Sequence, residues 1–309
     1  MNVSNAPSKR SVAVVTGANS GLGYHVAETL ASQGMEVLLA CRDLDKARQA
    51  RDAIAGHYPQ ARLRVEHLDL ADLASVQRFA ETLLSQLERI DLLINNAGVM
   101  ALPLRRTADG FEMQVGTNHL GHFALTGRLL PLLASAPSAR VITVSSLAHR
   151  FGSLDLDDLN WERRRYNKWT AYAQSKLANL MFALTLERRL RGMGSKVTSV
   201  AAHPGYSATH LQLAGPEMAA SSMGTALWRS INQVFATSAA FGAAPVLHAA
   251  MQPVGGSSYF GPSRLGELRG PPGPAHIARR ARDVDKAEAL WRLSERLTGV
   301  SVASDTQAS

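Results

Sequence analysis

Apolar residues in this chain follow two alternating patterns. Short aliphatic, often β-branched runs stand at 11–16 (SVAVVT), 36–40 (EVLLA), 90–94 (IDLLI), 141–144 (VITV) and 197–201, and LRVEHL at 63–68 alternates. Runs of this length and composition predict strands. Between them lie longer stretches with helical spacing: from Gly21 to about 33, 44–55, 73–87, about 110–134, and from near Tyr172 to about 191. Two more, at 239–251 and 283–297, follow later. Strand and helix in regular alternation predict an α/β fold of one domain, a doubly wound parallel sheet in three α/β/α layers. A short last strand is expected at 258–260, and the proline- and glycine-rich 265–276 reads as loop. The domain spans 11–262, with a polar tail at 1–10, a segment of small and polar residues at 206–236 that suits a flap over a site, and a C-terminal extension at 263–309.

Composition narrows this picture. The 309 residues are 46% hydrophobic and 19% charged, enough apolar material for one large core. Cys41 is the one cysteine, so no intramolecular disulfide forms and a reducing, cytoplasmic setting is expected. The start of the chain lacks the apolar region of a signal peptide, and no run is long enough for a transmembrane helix. The net charge of +8 could attract nucleic acid, but the basic residues are dispersed and sit in no nucleic-acid-binding motif, so no nucleic-acid partner is expected. Part of the excess charge suits an anionic cofactor.

The chemistry collects at the ends of the predicted strands. The first strand runs into Thr16-Gly17-Ala18-Asn19-Ser20-Gly21-Leu22-Gly23 and then a helix. Gly17 permits a tight turn, Gly21 lets backbone approach a phosphate, and Gly23 lets helix pack closely on sheet, while the helix start offers free N–H groups to a pyrophosphate. The second strand ends in Arg42 and Asp43. An arginine there accommodates the 2′-phosphate of NADP, whereas an acidic residue would bind the ribose of NAD. Asp43 reads better as a helix N-cap, so NADP is favoured with NAD as the alternative. Asp69 and Leu70 follow the third strand, where a carboxylate could meet an adenine amino group or cap the next helix. Asn95, Asn96, Ala97 and Gly98 follow the fourth, a place for close approach of ligand to backbone or for a structural turn. Asn118 lies inside a helical pattern, which implies a kink or a polar network. His119 and His122 lack a third ligand and read as structural, with no metal.

Tyr172 and Lys176 stand four apart on a helix and so share a face. A phenol, with an ordinary pKa near ~10, becomes a useful acid or base when a cation favours its anion. With the TGANSGLG turn, Asn96-Ala97-Gly98, Asn118, Ser146 and Pro204-Gly205 in this order, the chain resembles the short-chain dehydrogenase/reductase family. The Ala40-Cys41-Arg42-Asp43, Thr117-Asn118-His119-Leu120-Gly121-His122-Phe123 and Ser145-Ser146-Leu147-Ala148-His149 segments are similar to its retinol-dehydrogenase-like branch. Membrane-bound members of that branch often carry an N-terminal anchor, and none is read here.

The resemblance implies a Rossmann-like fold and a catalytic set of Asn118, Ser146, Tyr172 and Lys176. Tyr172 would move the proton and Lys176 would lower its pKa and hold the nicotinamide ribose. Ser146 would hold the substrate oxygen, and Asn118 a water leading to Lys176. Pro204, Gly205 and Thr209 would meet the nicotinamide. The implied activity is hydride transfer between NADP(H) and a carbonyl or alcohol. Val99, Met100 and Leu102, with Leu211, Leu213 and Met218 in the flap, suit a lipophilic substrate. Relatives often pair through the helices carrying Asn118 and Tyr172, as homodimers or homotetramers, and the oligomeric state of this chain is left open by its sequence. The competing reading is a dinucleotide-binding sensor without turnover, against which the intact catalytic set argues.

Overall fold

The computed structural model describes residues 11–205 and 239–302. The segment read as a flap, and Thr209 within it, lie outside the described residues.

The elements run β1 (Val12–Thr16), α1 (Gly21–Ser32), β2 (Glu36–Cys41), α2 (Leu44–His57), β3 (Arg62–His67), α3 (Leu73–Gln86) and β4 (Leu92–Asn95). A helical stretch follows, made of α4 (Met113–Val115), a π-helical turn (Gly116–Leu120) and α5 (Gly121–Ala134). Then come β5 (Arg140–Val144), a 3-10 turn (Leu147–Phe151), α6 (Lys168–Gly192), β6 (Thr198–Ala202), α7 (Ala239–Met251), β7 (Tyr259–Arg264), β8 (Arg269–Pro274) and α8 (Val284–Thr298).

Among the described residues eight strands form one sheet, in the order β3-β2-β1-β4-β5-β6-β7-β8. Neighbours are parallel up to β7, and β8 returns antiparallel. The central strands β1 and β4 are buried at every position because both faces of the sheet are covered. On β1, Val12 and Val14 enter the core shared with α3, α5, α6 and α8, while Ala13 and Val15 enter the core shared with α1, α2 and α7. On β2 the same alternation divides Leu38 and Ala40 from Val37, Leu39 and Cys41.

Two expectations are corrected. The stretch 265–276 is not all loop, and 258–260 is not the last strand, since β7 and β8 form a hairpin with Pro262 opposite Pro272. Proline cannot donate to a ladder, so it is excluded from central strands; here Pro272 lies on the edge strand β8, and Pro262 lies beyond Tyr259 and Phe260, where β7 pairs with β6. The C-terminal extension packs on the domain through α8. Trp291 of α8, 2% exposed, stacks on Phe182 at 5.7 Å and meets Phe123 edge-on at 5.1 Å.

Candidate active site

The strand order reverses between β1 and β4, and there the C-terminal ends of β1, β2, β4 and β5 open a crevice, the usual ligand position of such a sheet. A cavity of about 380 Å³ fills it. Gly17, Asn19, Ser20, Gly21, Leu22 and Gly23 line one wall. Arg42, Asp69 and Leu70 stand along it, followed by Asn96, Ala97 and Gly98, with Tyr172 and Lys176 also in the lining.

The glycine turn is built for close approach. Gly17 has φ +64°, and a Cβ on Gly23 would overlap the Gly17 carbonyl and the Asn96 amide. The start of α1 is electrostatically open. Its N-cap Ser20 makes no side-chain cap bond, and its first turn holds no acidic residue. In contrast, Asp43 caps α2, Asp72 caps α3 and Asn167 caps α6, each accepting from backbone N–H groups. The free N–H groups and positive dipole end of α1 therefore face the cavity without internal compensation.

Asp43 is occupied as a cap, accepting from the Lys46 N–H at 3.1 Å, and its side chain also pairs with Lys46 Nζ at 3.1 Å. Arg42 is left as the strand-end cation, and Lys46 lines the cavity with it. Lys46 was missed by the sequence reading, although its spacing of four from Arg42 carried the signal. Asp69 does not cap α3, because Asp72 does. It accepts from the Ala71 N–H at 2.9 Å and leaves its outer edge along the cavity.

Asn95 and Asn96 hold structure. Asn95 donates to Thr126 Oγ1 at 3.0 Å, and Asn96 Nδ2 donates to the Thr16 carbonyl at 2.8 Å. The Thr16 hydroxyl accepts from the N–H groups of Asn96 and Ala97 at 2.9 Å each. His122 stands 2.9 Å from that hydroxyl, and its Nδ1 meets the Asn118 carbonyl at 3.0 Å. Burial holds His122 neutral, down to about 4, so Nδ1 donates to the carbonyl and Nε2 accepts from Thr16. His119 is also buried and neutral, bonded to Ser294 Oγ at 2.9 Å.

The Asn118 kink and the polar network occur together. Asn118 lies in the π-helical turn, accepts from the Val99 N–H at 2.8 Å, and donates to the Val99 carbonyl and Ser175 Oγ at 2.9 Å each. π-Turns recur at functional sites because they re-aim a side chain without ending the helix.

Tyr172 and Lys176 lie on α6, which Asn167 starts by accepting from two N–H groups. Lys176 Nζ is 5.8 Å from the centre of the Tyr172 ring and donates to the Val144 carbonyl at 3.1 Å. Ser145 donates to the Lys176 carbonyl at 2.7 Å and so ties β5 to α6, whereas Ser146 stands beside Tyr172 and favours its phenolate. The expected fall in the Tyr172 pKa is not met. Burial pushes the phenol up to about 12, with Ser146 pulling against it, and burial brings Lys176 down to about 8. Desolvation is the largest cause of both shifts. Pro204 and Gly205 follow β6, and Gly205 N–H donates to His203 Nδ1 at 3.1 Å.

Among the described residues no cluster could hold a metal ion, and no helix is long and apolar enough to cross a membrane.

A family model described as short chain dehydrogenase matches residues 11–218. The chain is 40% identical over 310 residues to retinol dehydrogenase 13 of Homo sapiens, covering 96% of this chain and 88% of that one. It is 44% identical, with a TM-score of 0.77, to a crystal structure of an uncharacterized protein from Mycobacterium Paratuberculosis, covering 95% of this chain and 94% of that one. An NADP active-site complex of RhlG from Pseudomonas aeruginosa is 26% identical, with a TM-score of 0.51 over 63% of this chain and 72% of that one.

Proposed function

The chain belongs to the short-chain dehydrogenase family, in its retinol-dehydrogenase-like branch, and from that premise we propose an NADP(H)-dependent oxidoreductase in which Tyr172 moves the proton to or from a lipophilic carbonyl or alcohol. The family makes it an NAD(P)-dependent enzyme of alcohol and carbonyl groups. The observation that carries the finer reading is one cavity joining two chemistries. An uncapped helix start and two cations line it beside the buried Tyr172 and Lys176.

The residues fit a dinucleotide. Gly17, Asn19, Ser20, Gly21, Leu22 and Gly23 would take its pyrophosphate on backbone N–H groups. Arg42, with Lys46, would take a 2′-phosphate, and Asp69 and Leu70 would border the adenine. Asn96, Ala97 and Gly98 would lie along the ribose side, and Pro204, Gly205 and Thr209 would meet the nicotinamide. The cofactor, when bound, supplies the hydride.

Tyr172 holds its proton through neutral pH, since burial keeps the phenol protonated up to about 12. It is thus stored as the general acid of carbonyl reduction, and Ser146 beside it would orient the substrate oxygen. Lys176 would hold the ribose hydroxyls and ease the phenolate when the reaction runs toward oxidation. Val99 and Met100 line the cavity and would present apolar surface to the substrate, in keeping with a relative named for retinol.

Titration with NADPH and NADH, then turnover on lipophilic aldehydes, tests this. We expect NADPH to bind at least tenfold more tightly than NADH, and Arg42→Ala to remove most of that preference, because a charge-assisted phosphate contact contributes about 1.5–3 kcal/mol. Tyr172→Phe should keep NADPH affinity and lose roughly 10²–10⁴-fold in kcat. Tight NADPH binding with no turnover on any carbonyl or alcohol would favour the silent sensor.

A further inference from the structure

The turns that end β5 and β6 are both gripped from the C-terminal hairpin. Ser146 caps the 3-10 turn after β5, and Arg150 lies in that turn. His203 opens the turn after β6, ahead of Pro204 and Gly205. Glu267, at the tip between β7 and β8, reaches both. Its Oε2 lies 2.6 Å from Arg150 Nη2 and 3.1 Å from His203 Nε2, while Oε1 accepts from the His276 N–H at 2.8 Å.

The hydrogen bonds determine the His203 tautomer. Gly205 N–H donates to Nδ1, which must then carry the lone pair, so the proton sits on Nε2 and is donated to Glu267. The His203 ring is wholly buried and cannot exchange these partners for solvent. The backbone is bent to deliver the carboxylate. Leu265, Gly266 and Glu267 have φ of +52°, +64° and +69°, a left-handed run that side chains other than glycine adopt at a cost. Opposite, Gly261 makes room, since a Cβ there would overlap the His203 ring at Nε2.

We infer that Glu267 is a positioning residue for the nicotinamide end of the site, holding the Ser146 turn through Arg150 and the Pro204 and Gly205 turn through His203 so that the two keep one spacing. This rests on the dehydrogenase reading above. A carboxylate suits the position because Oε1 and Oε2 both act only as acceptors. A carboxamide would turn an N–H₂ toward the His276 N–H, or toward Arg150 and His203. In the latter case His203 would shift its proton to Nδ1, and Gly205 N–H would lose its acceptor. The adenosine end, at α1 and Arg42, touches none of these groups and should not feel the change.

The test compares wild type, Glu267→Gln and Gly261→Ala. Each is titrated with 2′,5′-ADP, which reports the adenosine end, and with NADPH, which reports both ends, and each is assayed on an aldehyde that wild type reduces. We expect 2′,5′-ADP affinity within about twofold of wild type in both variants. NADPH affinity should fall about tenfold and kcat roughly ten- to a hundredfold, since small misplacements of positioned groups have effects of this size. Nitrogen NMR of the His203 ring, without any ligand, should show the Nε2–H form in wild type and a shifted or mixed form in Glu267→Gln. Wild-type NADPH affinity and kcat in Glu267→Gln would overturn the inference, as would equal losses for 2′,5′-ADP and NADPH. If wild type itself binds neither nucleotide, the dehydrogenase reading falls and the role given to Glu267 falls with it. The His203 signal would still show whether the grip exists.

Discussion

Burial sets the Lys176 ammonium against the protein around it. The group is 4% exposed and its pKa falls from 10.5 to about 8, a displacement that corresponds to a cost on the order of 3 kcal/mol. The folded protein thus holds this proton less tightly than the unfolded chain does. Between about pH 8 and 10.5 the unfolded chain carries more of it, so folding stability rises with pH across that window, and below pH 8 the cost is felt in full. Lys176→Met should therefore raise stability at pH 7 by roughly 1–3 kcal/mol while ending turnover, a trade expected where function needs a strained group. The Val144 carbonyl would keep its other donor, Asn179 Nδ2 at 3.2 Å. Urea unfolding at pH 7 and pH 10 checks it, and the advantage of Met should shrink at the higher pH. A loss of stability at pH 7 would mean that the contacts of the ammonium outweigh its desolvation. At this scale residue type and spacing picked out Tyr172, Lys176 and Arg42, and all three line the cavity. The direction of the Tyr172 pKa was not legible, because it depends on how much protein lies over the phenol.

The C-terminal extension shows what an element can conceal. Its helix was legible from spacing, but its partner was not, because the contacts of Trp291 with Phe123 and Phe182 join residues far apart in the chain. Arg189 also lies over the Trp291 ring at 4.7 Å. Trp291→Ala would open a large cavity in the layer that carries α5 and α6, and we expect a loss of about 3–5 kcal/mol, read from denaturant midpoints. NADPH affinity of the folded fraction should change little, since Trp291 does not line the cavity. The β7 and β8 hairpin was missed for a related reason. Proline and glycine argue against a strand interior, yet the sheet edge relaxes that rule, and nothing local in 265–276 says where the edge is. Asn118 was the reverse case. A polar amide in a helical run left a kink and a network as alternatives, and the structure uses both.

For the molecule as a whole, the face of α5 and α6 matters most. The resemblance leaves the oligomeric state open, with relatives that often pair through these two helices. In this single chain α6 is buried from Ala171 through Ala183, more than one side of a helix, and α8 packs on both helices. Val300 and Val302 continue that cover, and a Cβ on Gly127 of α5 would overlap both. The chain is therefore expected to run as a monomer in size-exclusion chromatography with light scattering, or to pair through another face. A dimer lost on substituting exposed residues of α6 would contradict this. The charge of +8 acts at the same scale. It favours anionic ligands at long range, an effect that salt screens.

The sequence by itself determined the α/β layering, the glycine turn at the first strand, and the order of the strand ends around the cavity. Each of these rests on local spacing: apolar runs for strands, helical periodicity for helices, glycine where backbone must bend or approach. Tertiary structure alone decided what those residues experience. It brought Ser146 to Tyr172 across 26 positions and laid α8 over α5 and α6. It also swung Glu267 onto His203 and Arg150 from beyond the reach of any motif. Local spacing can specify a turn, but burial, pKa and long-range grip depend on which distant segment covers it, and only the closed fold supplies that.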